Sequence, residues 1–172
     1  MKSLAPFASA LAGIILVLRA VSPASAGPAE CEAIMNSFAA VAATPGYKQS
    51  VSVAEPKTEI EQIVIGEMLY TNAGGSWSKL KLKPGGRKGI LDAIMSMSSV
   101  SECKEIRVEN LPAGRMKVYE YMMAPPKLLP GSSTAPVKHE VWLGSSDGLV
   151  HRISAAGTIA NITYGALTPP IP

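Results

Sequence analysis

Turns that contain glycine divide the second half of the sequence into short segments of alternating apolar and polar residues. The turn Leu111-Pro112-Ala113-Gly114 follows one such segment, and the tetrapeptide "SSDG" follows another, "KHEVWLG". This pattern is typical of antiparallel strands with one buried face. We therefore predict continuous antiparallel sheet from residue 103 onward, in which strands adjacent in sequence pair with each other.

The first half of the chain adds two helices. Apolar residues recur at three- and four-residue spacing over residues 28–43 and again over 87–97, which predicts a helix in each range. Strand-like alternation covers residues 47–53, 59–69 with an interruption at Gly66, and 77–82. Two helices and seven to nine strands predict the α+β class, with a strongly curved antiparallel β-sheet and the helices packed against one face.

The N-terminus has the pattern of a secretory signal peptide. Lys2 precedes a continuous apolar run at 11–18, and Ala24-Ser25-Ala26 is a small-residue cleavage pattern. An uncleaved membrane anchor is the alternative, but the apolar run is shorter than the roughly 20 residues that span a bilayer. We predict that residues 1–26 are a signal peptide, that cleavage follows Ala26, and that the protein is periplasmic.

The mature chain, residues 27–172, is long enough to form one domain with its own hydrophobic core. Cleavage removes two of the sixteen basic residues and none of the thirteen acidic residues, so the net charge falls to +1. A chain this close to neutral lacks the excess positive charge that binds phosphates. We therefore expect no nucleic-acid partner.

The two cysteines, Cys31 and Cys103, are expected to form one disulfide bond. An exported chain enters an oxidising compartment, where a single pair of cysteines normally forms a bridge. A redox pair or a metal site is the alternative, but neither cysteine lies in a C-x-x-C motif. Lipidation of Cys31 would require small residues immediately before it, and Pro28-Ala29-Glu30 does not provide them.

Both histidines, His139 and His151, flank the predicted "SSDG" turn. A catalytic histidine needs an orienting carboxylate and a nucleophile within hydrogen-bond reach, and the sequence contains no G-x-S-x-G elbow. One hairpin register pairs Trp142 with Arg152 and Leu143 with His151, whereas a longer loop pairs Trp142 with His151. We interpret both histidines as strand residues and expect no enzymatic activity.

Two pairs of methionines raise the question of a copper site, because thioether sulfur binds cuprous copper. Met95 and Met97 would point about 200° apart on a helix, and Met122 and Met123 would face opposite sides of a strand. Methionine also fills adaptable cores and apolar ligand surfaces. We therefore expect no metal and no cofactor.

Five basic residues lie close together in the sequence: Lys79, Lys81, Lys83, Arg87 and Lys88. Such a run is usually a solvated surface. The functional interpretation is a patch for an anionic partner, such as lipid headgroups at a membrane surface or an acidic face of an envelope protein. The sequence leaves both interpretations open.

Several of these segments together resemble a known family. They are "GEMLYTNAGGSWSKLKL", a lone Cys103 followed by "KEIRVENLPAGRMKVYEY", and "VWLGSSDGLVHRI" followed by "ITYGALTPP". Across nearly the whole mature length, the chain is similar to the periplasmic lipoprotein-carrier superfamily, the LolA/LolB/LppX-like half-barrels. The resemblance implies an incomplete barrel whose concave apolar surface, covered by helices, carries acyl chains or other lipidic cargo without catalytic residues.

A carrier for a hydrophobic or lipid-like small molecule is therefore the leading functional expectation. The residues expected to line its cavity are Met68, Tyr70, Tyr119, Tyr121, Val141 and Trp142. The proline-rich loop 124–136 is interpreted as a partial lid or as a flexible connection, and residues 167–172 as an extended tail. The alternative function is an envelope protein-interaction or chaperone module, which would have a filled core and no ligand cavity.

The signal-peptide assignment predicts the N-terminus of the exported protein. We expect protein recovered from the cell envelope to begin at Gly27, because the small residues Ala24 and Ala26 suit a signal peptidase. Intact mass spectrometry will test this prediction. A mass that includes residues 1–26 would contradict it.

Overall fold

The computed structural model describes residues 28–89, 92, 99–124 and 135–172. These ranges contain one long helix and nine strands: α1 (Pro28–Ala43), β1 (Gly46–Val53), β2 (Thr58–Ile65), β3 (Met68–Ala73), β4 (Ser76–Lys81), β5 (Ser99–Leu111), β6 (Gly114–Ala124), β7 (Val137–Gly144), β8 (Val150–Ala155) and β9 (Thr158–Thr163). Residues 86–89 and 92 are helical where the second helix is predicted. The rest of that helix, including Met95 and Met97, and most of loop 124–136 lie outside the described residues.

All nine strands form one antiparallel sheet in the order β4-β3-β2-β1-β9-β8-β7-β6-β5. Strand β9 pairs with both β1 and β8, and every other pair joins strands that are adjacent in sequence. The two edge strands, β4 and β5, do not pair with each other, so the sheet is open. The predicted α+β class with an unclosed antiparallel sheet is confirmed.

Helix α1 packs on one side of the sheet, against β5, β6, β7 and β8. Its apolar residues recur at helical spacing, so Ile34 and Val41 are buried on the same side, and Phe38 packs against the same core. Thr44 ends the helix: its hydroxyl donates a hydrogen bond to the carbonyl of Val41 at 2.8 Å, and Pro45 follows. The predicted helix over residues 28–43 is confirmed.

A bulge in β5 positions the second cysteine. The register between β5 and β6 shifts between Ser101 and Lys104, and Glu102 within that shift has a φ of 54°. A bulge of this kind redirects a side chain out of the regular alternation. Cys103 is thereby fully buried among the residues that α1 covers, and it is bonded to Cys31. The predicted disulfide is present.

Two turns differ in detail from the sequence-based expectation. The extended run over residues 59–69 is two strands, β2 and β3, because Gly66 adopts a φ of 57° and reverses the chain. In the β7–β8 hairpin, Trp142 pairs with Arg152 as predicted, but Leu143 pairs with Val150. The predicted pairing of Leu143 with His151 is wrong, since a register shift after Trp142 leaves an extra residue in β8.

The chain after β9 crosses the side of the sheet that faces away from α1. Gly46 lies close to Leu167: a β-carbon at this glycine would lie 3.3 Å from Leu167 Cδ1. At the sheet edge, Lys79 of β4 donates a hydrogen bond to a main-chain oxygen of Pro172. Residues 165–172 form no helix or strand. The tail therefore reaches from β1 to β4.

The disulfide should contribute strongly to stability. It joins residues that are 72 positions apart, and closing a loop of that length in the unfolded chain corresponds to about 4 kcal/mol. We expect the double variant Cys31→Ala, Cys103→Ala to lose about this much free energy of unfolding in a urea titration. Dithiothreitol should destabilise the wild-type protein and leave the double variant unchanged. Equal stability of the two oxidised proteins would contradict the prediction.

Candidate functional site

An apolar row crosses seven strands on the side of the sheet that carries α1. The strand registers place its members directly opposite one another, from β6 to β3: Tyr119, Val141, Ile153, Ala160, Val51, Ile60 and Ala73. Paired residues in an antiparallel sheet point to the same face. We call this face the helix side and these seven residues the apolar row.

The apolar row is buried beneath α1 and is more exposed at its far end, in β1, β2 and β3. Val141 is fully buried and Tyr119 is 6% exposed, and both belong to the core cluster that includes Ile34 of α1. Val51 and Ile60 are only half-buried, although they are the same kind of side chain as those beneath the helix. The row therefore continues as apolar surface beyond the strands that α1 covers.

Charge is confined to the other side of these strands. In β1–β4 and β7–β9, every lysine, arginine and glutamate lies at a register position that faces away from α1: Lys48, Glu59, Glu61, Lys79, Lys81, Lys138, Glu140 and Arg152. The helix side of the same strands carries apolar residues together with uncharged polar residues such as Gln49, Gln62 and Thr71. This side can bind uncharged molecules without desolvating an ionic group.

Trp142 lies on the charged side. Its ring centroid is 5.4 Å from the guanidinium carbons of both Arg107 and Arg152, and its indole N–H donates to Glu109 at 2.8 Å. Hydrogen bonds from Arg107 and then from Trp142 lower the pKa of Glu109. Trp142 is thus held between two cations, which is a favourable arrangement for an indole ring, and it does not face α1.

The other residues expected to line a cavity divide between the two sides. Tyr121 and Tyr119 lie with Val141 on the helix side; Tyr121 is 1% exposed, and burial raises its pKa. Met68 and Tyr70 face away from α1, on the side that the C-terminal tail crosses. The structure therefore brings three of the six expected residues together and places the other three on the opposite side.

The half-buried members of the apolar row were not among the expected cavity residues. Ile153, Val51 and Ile60 lie in strands recognisable from alternation, but alternation alone does not say which face a helix covers. That information depends on the long-range pairing of β9 with β1, which brings the two halves of the sheet together. No local sequence signal reports this pairing.

The five basic residues do not form one patch. Arg87 donates to the carbonyl oxygens of Ala42, at 2.7 Å, and Thr44, and so binds the C-terminal end of α1. Lys88 pairs with Asp92 at 2.5 Å, one helical turn away. Lys79 contacts the C-terminal tail, while Lys81 and Lys83 are exposed. A patch for an anionic partner stays a prediction, and it would be limited to the lysines.

The histidines have different surroundings. His151 Nε2 lies 3.0 Å from Asp147 Oδ2 in the adjoining turn, and the ring of His151 meets Tyr164 edge-on. His139 stacks on Tyr121 with 5.1 Å between ring centroids. Within the described residues, neither histidine shares a hydrogen bond with a serine, threonine or cysteine side chain, and no cluster of three or more metal-ligating residues occurs.

A cleft of about 400 Å³ lies beside α1 on the helix side. Its walls come from one flank of α1 and from the β6 and β7 strands with the turn after β7, and they include Ala33, Ala40, Tyr119, Leu143 and Asp147. It adjoins the buried end of the apolar row at Tyr119. No helix in the described part of the chain is long and apolar enough to cross a membrane.

An open antiparallel sheet with a helix across one side defines the chain as an α+β half-barrel. Its fold is that of LprF from Mycobacterium bovis: the two structures align with a TM-score of 0.52 at 11% identity, over 86% of this chain and 99% of that one. The lipoprotein LppX from Mycobacterium tuberculosis aligns with a TM-score of 0.46 at 15% identity, over 79% of this chain and 93% of that one. The alignment with LprF confirms the half-barrel fold that the sequence predicts.

The comparison with sequences adds no family assignment: no protein-family model and no curated protein matches the chain.

The placement of Trp142 generates a stability prediction. We expect Trp142→Ala to lower the free energy of unfolding by about 3 to 5 kcal/mol, because truncating a buried tryptophan removes its packing. Trp77 is half-buried on the same side and serves as the matched control. Trp77→Ala should cost less than half as much in the same urea titration. Equal losses for the two variants would show that Trp142 is not buried between the arginines.

Proposed function

We propose that this protein is a periplasmic, non-catalytic carrier that binds a hydrophobic or lipid-like ligand on the helix side of its half-barrel. The observation that carries the proposal is the continuation of the apolar row past α1, from fully buried Val141 to half-buried Val51 and Ile60. Contiguous apolar surface beyond a core is typical of a ligand or partner site.

The free energy for binding would come from removing apolar surface from water. Each square ångström of buried apolar area contributes about 25 cal/mol, from which the cost of immobilising the ligand is subtracted. The helix side of β7–β9 and β1–β3 favours such burial, since these strands carry no ion there that has to lose its hydration. Because residues beneath α1 such as Val141 and Val150 are fully buried, a ligand would lie beside the helix and extend over β9 to β1 and β2.

A protein-interaction or chaperone module is the second candidate function. The observation that favours it is the filled core beneath α1, together with the edge strand β4, whose Leu80 is 59% exposed. Such a module would bind a protein at this edge, and the helix side would bind no small hydrophobic molecule. The two candidate functions therefore predict opposite results when binding of a small hydrophobic molecule is measured.

A matched pair of variants in β1 tests the carrier proposal. Val51 points to the helix side, and its neighbour Ser50 points away from it. We expect Val51→Gln to weaken binding of the uncharged fluorescent probe Nile red about tenfold or more, because it places an amide in the apolar row. Ser50→Gln, which introduces the same side chain on the other face, should leave the affinity unchanged.

The control measurements separate binding from folding. Circular dichroism and urea titration of both variants will show whether each retains the fold. Native mass spectrometry of wild-type protein purified from the periplasm should in addition show a co-purified lipid mass. A wild-type protein that binds neither Nile red nor envelope lipid would overturn the carrier proposal in favour of the interaction module.

A further inference from the structure

His139 lies next to the apolar row on the same side of the sheet. It is two residues from Val141 in β7, and its register partners are Tyr121 in β6 and Ala155 in β8. Its imidazole stacks on the ring of Tyr121 at an interplanar angle of 26°. The stack fixes the orientation of the imidazole, so that its nitrogen atoms have defined positions beside an apolar surface.

One nitrogen of this ring has no partner. His139 Nδ1 is buried from solvent and has no hydrogen-bond partner among the described residues. Buried polar atoms in native proteins are nearly always paired, with protein or with another bound molecule, because an unpaired one destabilises the fold. This nitrogen is therefore available to bond with a polar group of a bound molecule.

The surroundings of His139 specify an uncharged group. Burial lowers the pKa of His139, so the ring is neutral at neutral pH. Its neighbours on the helix side are Tyr121 and Ala155, and the charged residues of β7, Lys138 and Glu140, point to the other side. A carboxylate or phosphate placed here would lose its hydration without gaining a cationic partner among the residues that the structure describes.

We propose that His139 is the polar anchor of the ligand site and binds an uncharged oxygen, a hydroxyl or an ester, of a neutral amphiphile. The inference rests on the proposed carrier function and adds the chemical class of the ligand. A neutral imidazole offers one N–H donor and one acceptor, which matches both groups. The hydrocarbon part of the ligand would then extend from His139 along the apolar row toward Val51 and Ile60.

Two lipids with the same acyl chain, one neutral and one charged, test whether the ligand is a neutral amphiphile. The mature protein is loaded with Nile red, which is then displaced by 1-monoolein or by oleate at pH 8, below the critical concentration of either lipid. We expect 1-monoolein to displace the dye at a concentration at least tenfold lower than oleate does. Equal displacement, or better displacement by oleate, overturns the inference while the carrier proposal stands.

Two substitutions test whether His139 is the polar anchor. His139→Phe keeps an aromatic ring against Tyr121 but removes both nitrogens, and we expect it to weaken 1-monoolein about tenfold, the equivalent of one lost hydrogen bond. His139→Asn, which places a polar atom near the position of Nδ1, should retain most of the affinity. The affinity of each variant for Nile red is measured first, so that a change at the apolar row is distinguished from the loss of the hydrogen bond to 1-monoolein.

The outcomes separate the two proposals. If the wild-type protein does not bind Nile red, the carrier proposal itself is refuted. If the wild-type protein binds Nile red and His139→Phe has the same affinity for 1-monoolein as the wild type, His139 is not the polar anchor, but the carrier proposal stands. A urea titration of His139→Phe guards against misfolding, and removal of an unpaired buried nitrogen should leave its stability equal to or above that of the wild type.

Discussion

The length of α1 limits how much of the sheet it can cover. A 16-residue helix is about 24 Å long, and neighbouring strands lie about 4.8 Å apart, so one helix spans about five strands of a nine-stranded sheet. Its position is fixed at both ends: Cys31 is bonded to Cys103 in the β5 bulge, and Arg87 binds the carbonyls of Ala42 and Thr44. The helix side is therefore core over β5–β8, whereas its apolar residues Val51 in β1 and Ile60 in β2 are only half-buried.

The two sides of the sheet are stabilised in different ways. On the helix side, apolar residues pack against α1 and the disulfide. On the other side, arginines 107 and 152 enclose Trp142, and cross-strand pairs such as Lys104 with Glu120 connect the strands. This separation leaves the helix side without ionic groups across seven strands, which is what makes a neutral, hydrophobic ligand the best fit there.

Much of this fold can be predicted from local sequence signals. The spacing of Ile34, Phe38 and Val41 gives helix α1, and the turn glycines give the hairpins, because these signals depend on neighbouring residues. The faces of the strands cannot be predicted in the same way. Trp142 was expected beside Val141 in a cavity, yet adjacent strand residues face opposite sides, and only the position of α1 decides which side is covered.

The confinement of charge to one side has a consequence for how the molecule responds to salt. Exposed ion pairs weaken as ionic strength rises, since mobile ions screen them over about 10 Å at 0.1 M. Pairs such as Arg107 with Glu140 and Lys104 with Glu120 lie on the side away from α1. Over β1–β4 and β7–β9, ionic strength thus acts on the fold through one surface of the sheet. At β5 and β6 it also acts on the helix side, where Lys117 pairs with Glu105.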